Sequence, residues 1–368
     1  MATKLAYSPL HMAGSYGLGA FGLEIEDDGG LVAGARVSVG YGRREIEDAV
    51  RRLPLAQALN YADRVDFLAS PAYNCALASA FEELLDLEIP ERAHCIRLIL
   101  LELNRISSHL QFYVNLAREV GQLPLMNHCL RERERFSDVL EMYCGSRLGF
   151  GAICLGGVVA DATDGWFFRI EKALGLLRDF LPELDRLLLR HPFYEERTRG
   201  LAVVSPQHAR EWNLQGPNAR ASGLAEIDER RAKPYGAYKG QAMKEMSLAG
   251  GSSGDALARS RIRAAEILQS GALIEQVFRK IPSGNFRIRV GMEVSPPPGK
   301  AVASVEGPRG VITAFAESGA GSFPASVSFF SPSAMAVQLL PRLLRGHQVE
   351  DAFLVIHSLD ISFSEVDK

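Results

Sequence analysis

Apolar and polar positions follow two different rhythms along this chain. Between Phe21 and Val39 they alternate: FGLEIED and LVAGARVSV place apolar residues at roughly every second position, with Asp27-Asp28-Gly29-Gly30 between them. A period of two sends successive side chains to opposite faces, and DDGG supplies a turn, so a β-hairpin is predicted. From Arg43 the period lengthens to three and four. IEDAVRRL, PAYNCALASAFEELLDL and the long run opening IPERAHCIRLILLELNRISSHLQFYVNLAREVG each carry apolar residues at helical spacing. Pro90 suits the start of that long helix and Gly121 its end. LRERERFSDVLEMYCGSRL, GWFFRIEKALGLLRDFLPELDRLLL and ARSRIRAAEILQSGALIEQVFRKI extend the helical series. The segment 205–255, with QGPNARASG and LAGGSSGD, is rich in Gly, Pro, Ser and charge and reads as long loops. After Pro282 the pattern turns to strands and turns, with one short helix at PSAMAVQLLPRLLRG, and LVIHSLD reads as strand.

The fold class that follows is α+β and mainly helical: a central helical bundle with small β-rich parts at both ends. The predicted organisation is a hairpin region over 1–42, a helical core over 43–281 and a C-terminal α/β region over 282–368. No internal repeat is evident.

Composition narrows the function classes. With 368 residues, 47% hydrophobic and 23% charged, the chain can bury a large core. A net charge of −3 gives no footprint for nucleic acid. The basic run Arg131–Arg135 is interleaved with glutamate and reads as a helix face. Five isolated cysteines without a CxxC pair argue against an iron–sulfur cluster or zinc held by this chain alone. The N-terminus lacks the apolar core of a signal peptide, and the best membrane candidate, GFGAICLGGVVA, is short and glycine-rich. A soluble protein, or one held at a membrane by partners, is expected.

Candidate chemistry from the residues alone is sparse. Glu102, Arg105 and His109 share a helix face that continues towards Glu119. An ion-pair ladder is favoured there over a proton-handling row. Arg44 and Glu47, three apart at a helix start, read as a local ion pair. His11 and His128 have no metal-ligand spacing, and His357 reads as a hydrogen-bonded core histidine within a strand. Asp360 and Glu365 end the chain, where carboxylates ordinarily face solvent. GLGAFG matches a GxGxxG spacing but precedes a strand, so it offers no phosphate cradle.

Taken in order, YADRVDF, LEIPERAHCIRLILLELNRISSHL, AREVG, RERERF, GSRL, QGPNARASG, KPYGAY, LIEQVFRKIPSG and GHQVEDAFLVIHSLDISFSEVDK resemble the 49-kDa (D) subunit of complex I, the proton-pumping NADH:quinone oxidoreductase. The likeness is collinear from about residue 20 to the last residue. That family is similar to the large subunits of nickel–iron hydrogenases, including the group 4 membrane-bound enzymes. The resemblance implies the helical-bundle fold with small β-rich extensions. It places the two nickel-binding Cys-x-x-Cys pairs of the hydrogenases at Asp66-Phe67-Leu68-Ala69 and Ser362-Phe363-Ser364-Glu365, where no cysteine stands. Nickel in that chemistry is a thiolate site, so hydrogenase activity there is dismissed.

In the quinone-reducing branch the resemblance turns this place into the head of a quinone pocket. The headgroup-binding tyrosine position is Phe67, which has no proton to donate. The long-helix carboxylate is kept as Glu119. The hairpin histidine is missing from Ser15-Tyr16-Gly17-Leu18-Gly19, with His11 upstream and Tyr16 in the turn as substitutes. Arg44, with Glu47 completing RxxE, and Phe150 fall at family positions near the terminal iron–sulfur cluster of the neighbouring subunit. The resemblance therefore implies a catalytic-core component of a membrane-associated, redox-driven ion pump. Asp66, Phe67, Glu119 and Arg44 would be its working residues, joined in the cavity wall by Asp360–Glu365. No cofactor is expected on this chain, quinone is a possible substrate, and a 4Fe–4S cluster is expected in a small B-like partner. A C-like subunit and membrane subunits would complete an assembly on the cytoplasmic side of a bacterial cytoplasmic membrane. The alternatives are a subunit of an energy-converting-hydrogenase-related complex without nickel and iron, using a different donor or acceptor, and a non-catalytic structural subunit.

Overall fold

The computed structural model describes residues 3–7, 19–240, 243, 249–291, 293–319 and 321–368. The alternating segment folds as expected. β1 (Thr3–Tyr7), β2 (Gly22–Asp28) and β3 (Leu31–Ser38) form an antiparallel sheet in that order. Gly29 and Gly30 take φ of 66° and 92°, and Asp27 Oδ1 accepts from the Gly30 N–H at 2.7 Å, so DDGG closes the β2–β3 turn.

Next come α1 (Ile46–Arg51), α2 (Leu55–Ala62), α3 (Ser70–Leu84), α4 (Glu91–Glu119) and α5 (Leu123–Cys144). The 29-residue α4 is the axis of the molecule: every residue from Ile96 to Ala117 is buried. Pro90 precedes it and Gly121 follows it at φ 75°. GFGAICLGGVV forms no span but a small hairpin of β4 (Ile153–Cys154) and β5 (Gly157–Val158). No helix among the described residues is long and apolar enough to cross a membrane. α6 (Asp164–Leu184) is capped by Thr163, whose hydroxyl accepts from the Trp166 N–H.

The segment 205–255 differs from the long loops expected. After α7 (Pro192–Thr198) it holds α8 (Pro206–Glu211), α9 (Gly216–Ala221) and α10 (Glu229–Ala232). Proline in the first turn starts α8 and α9, and the segment's Gly and Ser residues separate helices too short to show a period. α11 (Ala256–Phe278) then packs along α4.

The C-terminal part opens with a second antiparallel sheet, β6 (Gly299–Glu306), β7 (Val311–Ser318) and β8 (Pro324–Phe330), which covers α3. α12 (Ser333–Leu344) matches the short helix expected. LVIHSLD does not form a strand: His357 lies on α13 (Ala352–Leu359), which packs against α4 and α11, and α14 (Phe363–Val366) follows. Six of the eight residues of α13 are buried, so it shows no polar face, and Val355 and Ile356 favour strand locally. Packing against two long helices overrides that preference.

Candidate functional site

Residues 63–69 connect α2 to α3 and meet the C-terminal tail. Asp66 is buried in this connection. Its Oδ1 accepts from the Leu68 N–H at 3.0 Å, and its Oδ2 pairs with Arg309 Nη1 at 2.6 Å. Arg309 comes from the turn between β6 and β7. Its Nε donates to the Asp360 carbonyl at 2.8 Å and lies 3.6 Å from Asp360 Oδ2, which stands 3.7 Å from Arg263 Nε. The carboxylates at the chain end do not face solvent, contrary to expectation: Asp360 and Glu365 are both buried. Their burial is tolerable because each has hydrogen-bonding or charged neighbours.

Arg44 forms no ion pair with Glu47. It is an exposed clasp, donating to the Arg64 carbonyl, to the Val65 carbonyl at 2.8 Å and to the Ser364 carbonyl at 2.9 Å. One planar guanidinium thus ties the Asp66 segment to the tail. Glu47 instead accepts from the Phe329 N–H at 2.8 Å and pairs with Lys368 at 3.0 Å. Asp367 fixes the same tail by accepting from the Gly40 and Gly42 N–H groups. Phe21 stacks on Phe363 with ring centroids 3.9 Å apart, which brings the start of the hairpin to this corner. His11 and Tyr16 lie outside the described residues.

Two carboxyls here are held towards their neutral form. Burial, then the nearby charge of Asp66, pushes Glu365 up to about 7, while Arg309 and donation from Ser333 and Tyr73 oppose the rise. Its Oε2 is 2.9 Å from the Tyr73 hydroxyl, and its Oε1 accepts from the Ser333 N–H at 3.1 Å. Burial likewise pushes Asp63 up to about 7, although it accepts from the Gly151 N–H. That contact sets the GFG loop, with Phe150 at its centre and buried, against Asp63 and Arg64.

Phe67 is 38% exposed at the surface of this cluster. Glu119, at the end of α4, meets His357 of α13, with Oε2 and Nε2 3.4 Å apart and both groups partly accessible. Asp360, one turn after His357, caps α13 in the left-handed region at φ 55°. The row Glu102, Arg105, His109 is a buried charge network, as the ladder reading expects. Glu102 pairs with Arg105 and Arg230, each at 3.1 Å, and His109 Nε2 lies 3.0 Å from Glu266. Burial alone would raise the Glu102 carboxyl, but Arg105 and Arg230 bring it down to about 2. A cleft of about 600 Å³ between α5 and α6, lined among others by Arg135, Met142 and Lys172, lies elsewhere.

The donor set does not fit nickel. Asp66 is engaged by Arg309, Glu365 by Tyr73 and Ser333, and Phe67 and Ala69 offer no ligand atom. The arrangement presents exposed Phe67 and the Arg44 guanidinium over a layer of buried charges. Tyr73 and Arg309 have no counterpart among the residues singled out from the sequence. Arg309 stands in GPRG, a charged residue between proline and glycine at a strand turn, and that is the one local signal it gives.

Comparison with known proteins identifies the family and the fold. The family described as "Respiratory-chain NADH dehydrogenase, 49 Kd subunit" matches residues 119–292 and 288–368, more than half of the chain. The D subunit of the NADH-quinone oxidoreductase of Desulforamulus reducens is 34% identical over 349 residues, covering 95% of this chain and 94% of its own. That of Carboxydothermus hydrogenoformans is 33% identical over 349 residues, again covering 95% and 94%. Among solved structures, a chain of the membrane-bound sulfane sulfur reductase, an archaeal respiratory membrane complex, superimposes with a TM-score of 0.93 at 28% identity. The match covers 100% of this chain and 98% of that one. The chain belongs to the family of the 49-kDa subunit of respiratory-chain NADH dehydrogenase.

Proposed function

We propose that this chain is the D-like core subunit of a membrane-associated, complex I-type redox-driven ion pump. Together with a small subunit carrying a 4Fe–4S cluster it forms the site where electrons reach a quinone-type acceptor. One observation carries the reading: Arg44, Asp66, Phe67, Arg309 and the 360–365 tail, far apart in sequence, converge on one face of the fold. Arg44 and Phe150 face the partner's cluster, while Phe67, Glu119 and His357 bound the acceptor. Phe67 gives an apolar contact to a ring, and the partly accessible Glu119–His357 pair supplies polar groups to the acceptor. C-like and membrane subunits hold the assembly on the cytoplasmic side of the bacterial membrane.

A second reading has a specific observation in its favour. Phe67 has no hydroxyl, and the structure matches a chain of a sulfane sulfur reductase complex along its whole length. Under this reading the chain serves a hydrogenase-related complex with a non-quinone acceptor. Purified complex with Arg44→Ala and with Glu119→Gln decides the matter. Loss of quinone-dependent turnover in both supports the first reading. Unchanged electron flow in both places the pocket elsewhere, and turnover with polysulfide but not with quinone supports the second reading.

A further inference from the structure

A cleft of about 300 Å³ lies where α8, the end of α12 and the segment 200–204 meet, and none of Arg44, Asp66, Phe67 and Glu119 lines it. Its polar side chains are His208 from α8, Arg342 from the last turn of α12, and Arg345 and His347 from the segment that follows. Among the described residues, no aspartate or glutamate lines it. Asp255 and Asp351, carboxylates of neighbouring segments, are engaged already. Asp255 accepts from the Gly200 and Ala258 N–H groups, and Asp351 pairs with Arg197. Arginines at the carboxyl end of a helix are ordinary by themselves, because they suit its dipole. That account does not reach the two histidines, which come from other parts of the chain.

The direction of each hydrogen bond shows what these side chains have left to offer. A guanidinium only donates, so the 3.1 Å contact between Arg342 Nη2 and His208 Nε2 makes that nitrogen the acceptor. The Ala202 N–H likewise donates to His347 Nε2 at 3.2 Å. Each ring therefore carries its proton on Nδ1, and both Nε2 lone pairs are used. Arg345 is exposed and has no hydrogen-bonded or ionic partner among the described residues. The lining side chains are left with donors alone, from two guanidiniums and two Nδ1–H groups. A ligand that satisfies them brings negative charge and several acceptor oxygens, and a tetrahedral phosphate matches the arginine fork.

The frame around these donors is tied down on both sides. The Gly346 N–H donates to the Val32 carbonyl at 2.8 Å, and the His347 carbonyl accepts from the Val32 N–H at 2.9 Å, which fixes the Arg345 segment to β3. The Val204 N–H donates to the Gly254 carbonyl at 3.0 Å on the opposite side. Leu339 and Leu343 of α12 give the cleft an apolar side, which a bare phosphate would leave uncovered. We propose that this cleft binds the phosphate group of an ester, held by Arg342, Arg345 and the two imidazole N–H groups, with the carbon portion of the ester against Leu339 and Leu343. A phospholipid headgroup and a soluble phosphate ester share this chemistry. The proposal does not rest on the acceptor-site reading.

The test uses the purified complex and radiolabelled inorganic phosphate in equilibrium dialysis, comparing wild type, Arg345→Ala and the double variant Arg342→Ala/Arg345→Ala. Wild type is expected to bind phosphate saturably, less tightly as sodium chloride rises. The double variant should bind it at least about tenfold more weakly. Arg345→Ala removes an exposed side chain without a partner among the described residues, so it should keep the wild-type unfolding temperature and still lose affinity. Displacement of the label by dihexanoyl phosphatidylglycerol but not by glycerol phosphate assigns the site to a lipid headgroup, and the reverse assigns it to a soluble ester. In phenylglyoxal modification followed by peptide mapping, inorganic phosphate should protect Arg342 and Arg345 but not the exposed Arg36 on β3. Equal phosphate binding by wild type and the double variant, or equal modification of Arg342 and Arg345 with and without phosphate, overturns the proposal.

Discussion

Arg309 reaches Asp66 across 243 residues of sequence, and no local pattern announces that contact. The same holds for Tyr73, which the sequence presents as one more apolar position on α3. Residues whose role depends on local chemistry were legible: Phe67 lacks a hydroxyl and the tail lacks cysteine. Residues whose role depends on long-range burial were not. Asp63 gives the cleanest test at this scale. Its folded pKa, raised to about 7, lies above the ordinary aspartate range near 4, so between those values the folded chain binds more protons than the unfolded one. Stability contributed by the neutral acid is therefore present at low pH and lost as pH rises towards 7. Asp63→Asn does not titrate. It should gain on wild type by up to roughly 4 kcal/mol between pH 4 and 8, measured as the difference in denaturant midpoints. A pH-independent difference would show that folding does not raise the Asp63 pKa.

Among the elements, the long helices were readable because each keeps a polar stripe or a clear end signal. Pro90 and Gly121 bound α4 as expected. α13 was misread because burial on nearly every side erases periodicity, and α8 to α10 were hidden because one or two turns are too short to show it. The short α9 shows what such an element can do. Gly216 at its start has φ 62°, and a Cβ there would overlap the Arg309 carbonyl oxygen. Asn218 on the same helix donates to the Leu359 carbonyl at 2.8 Å, so α9 supports the β6–β7 turn and the tail together. Gly216→Ala should displace Arg309, lowering acceptor-dependent turnover at least about tenfold and stability by about 1–3 kcal/mol. Turnover and unfolding midpoint both at wild-type values would show that the turn yields without moving Arg309.

At the scale of the molecule, a buried ionic network runs through the helical core beside the site. Arg220 joins Glu266 at 2.7 Å and Glu306 at 2.9 Å, and Arg230 joins Asp228 and Glu102. Such a network is costly to break from one side, because the remaining charges stay buried. Glu102→Ala leaves Arg105 without its carboxylate and Arg230 with Asp228 alone, and should destabilise the chain by about 3–5 kcal/mol, read as a fall in thermal unfolding temperature of the complex. A loss under about 1 kcal/mol would mean that water replaces the carboxylate. The sequence placed Glu102, Arg105 and His109 on one helix face but could not name their partners from α10, α11 and β6. The central claim is that the face around Phe67 receives the acceptor. The most direct measurement is photolabelling of the purified complex with an azido-quinone, followed by peptide mapping of this chain. Label within residues 63–69 or 357–365, removed by excess unlabelled quinone, is the result expected. Competable label confined to other segments of this chain, or to other subunits, would contradict the claim.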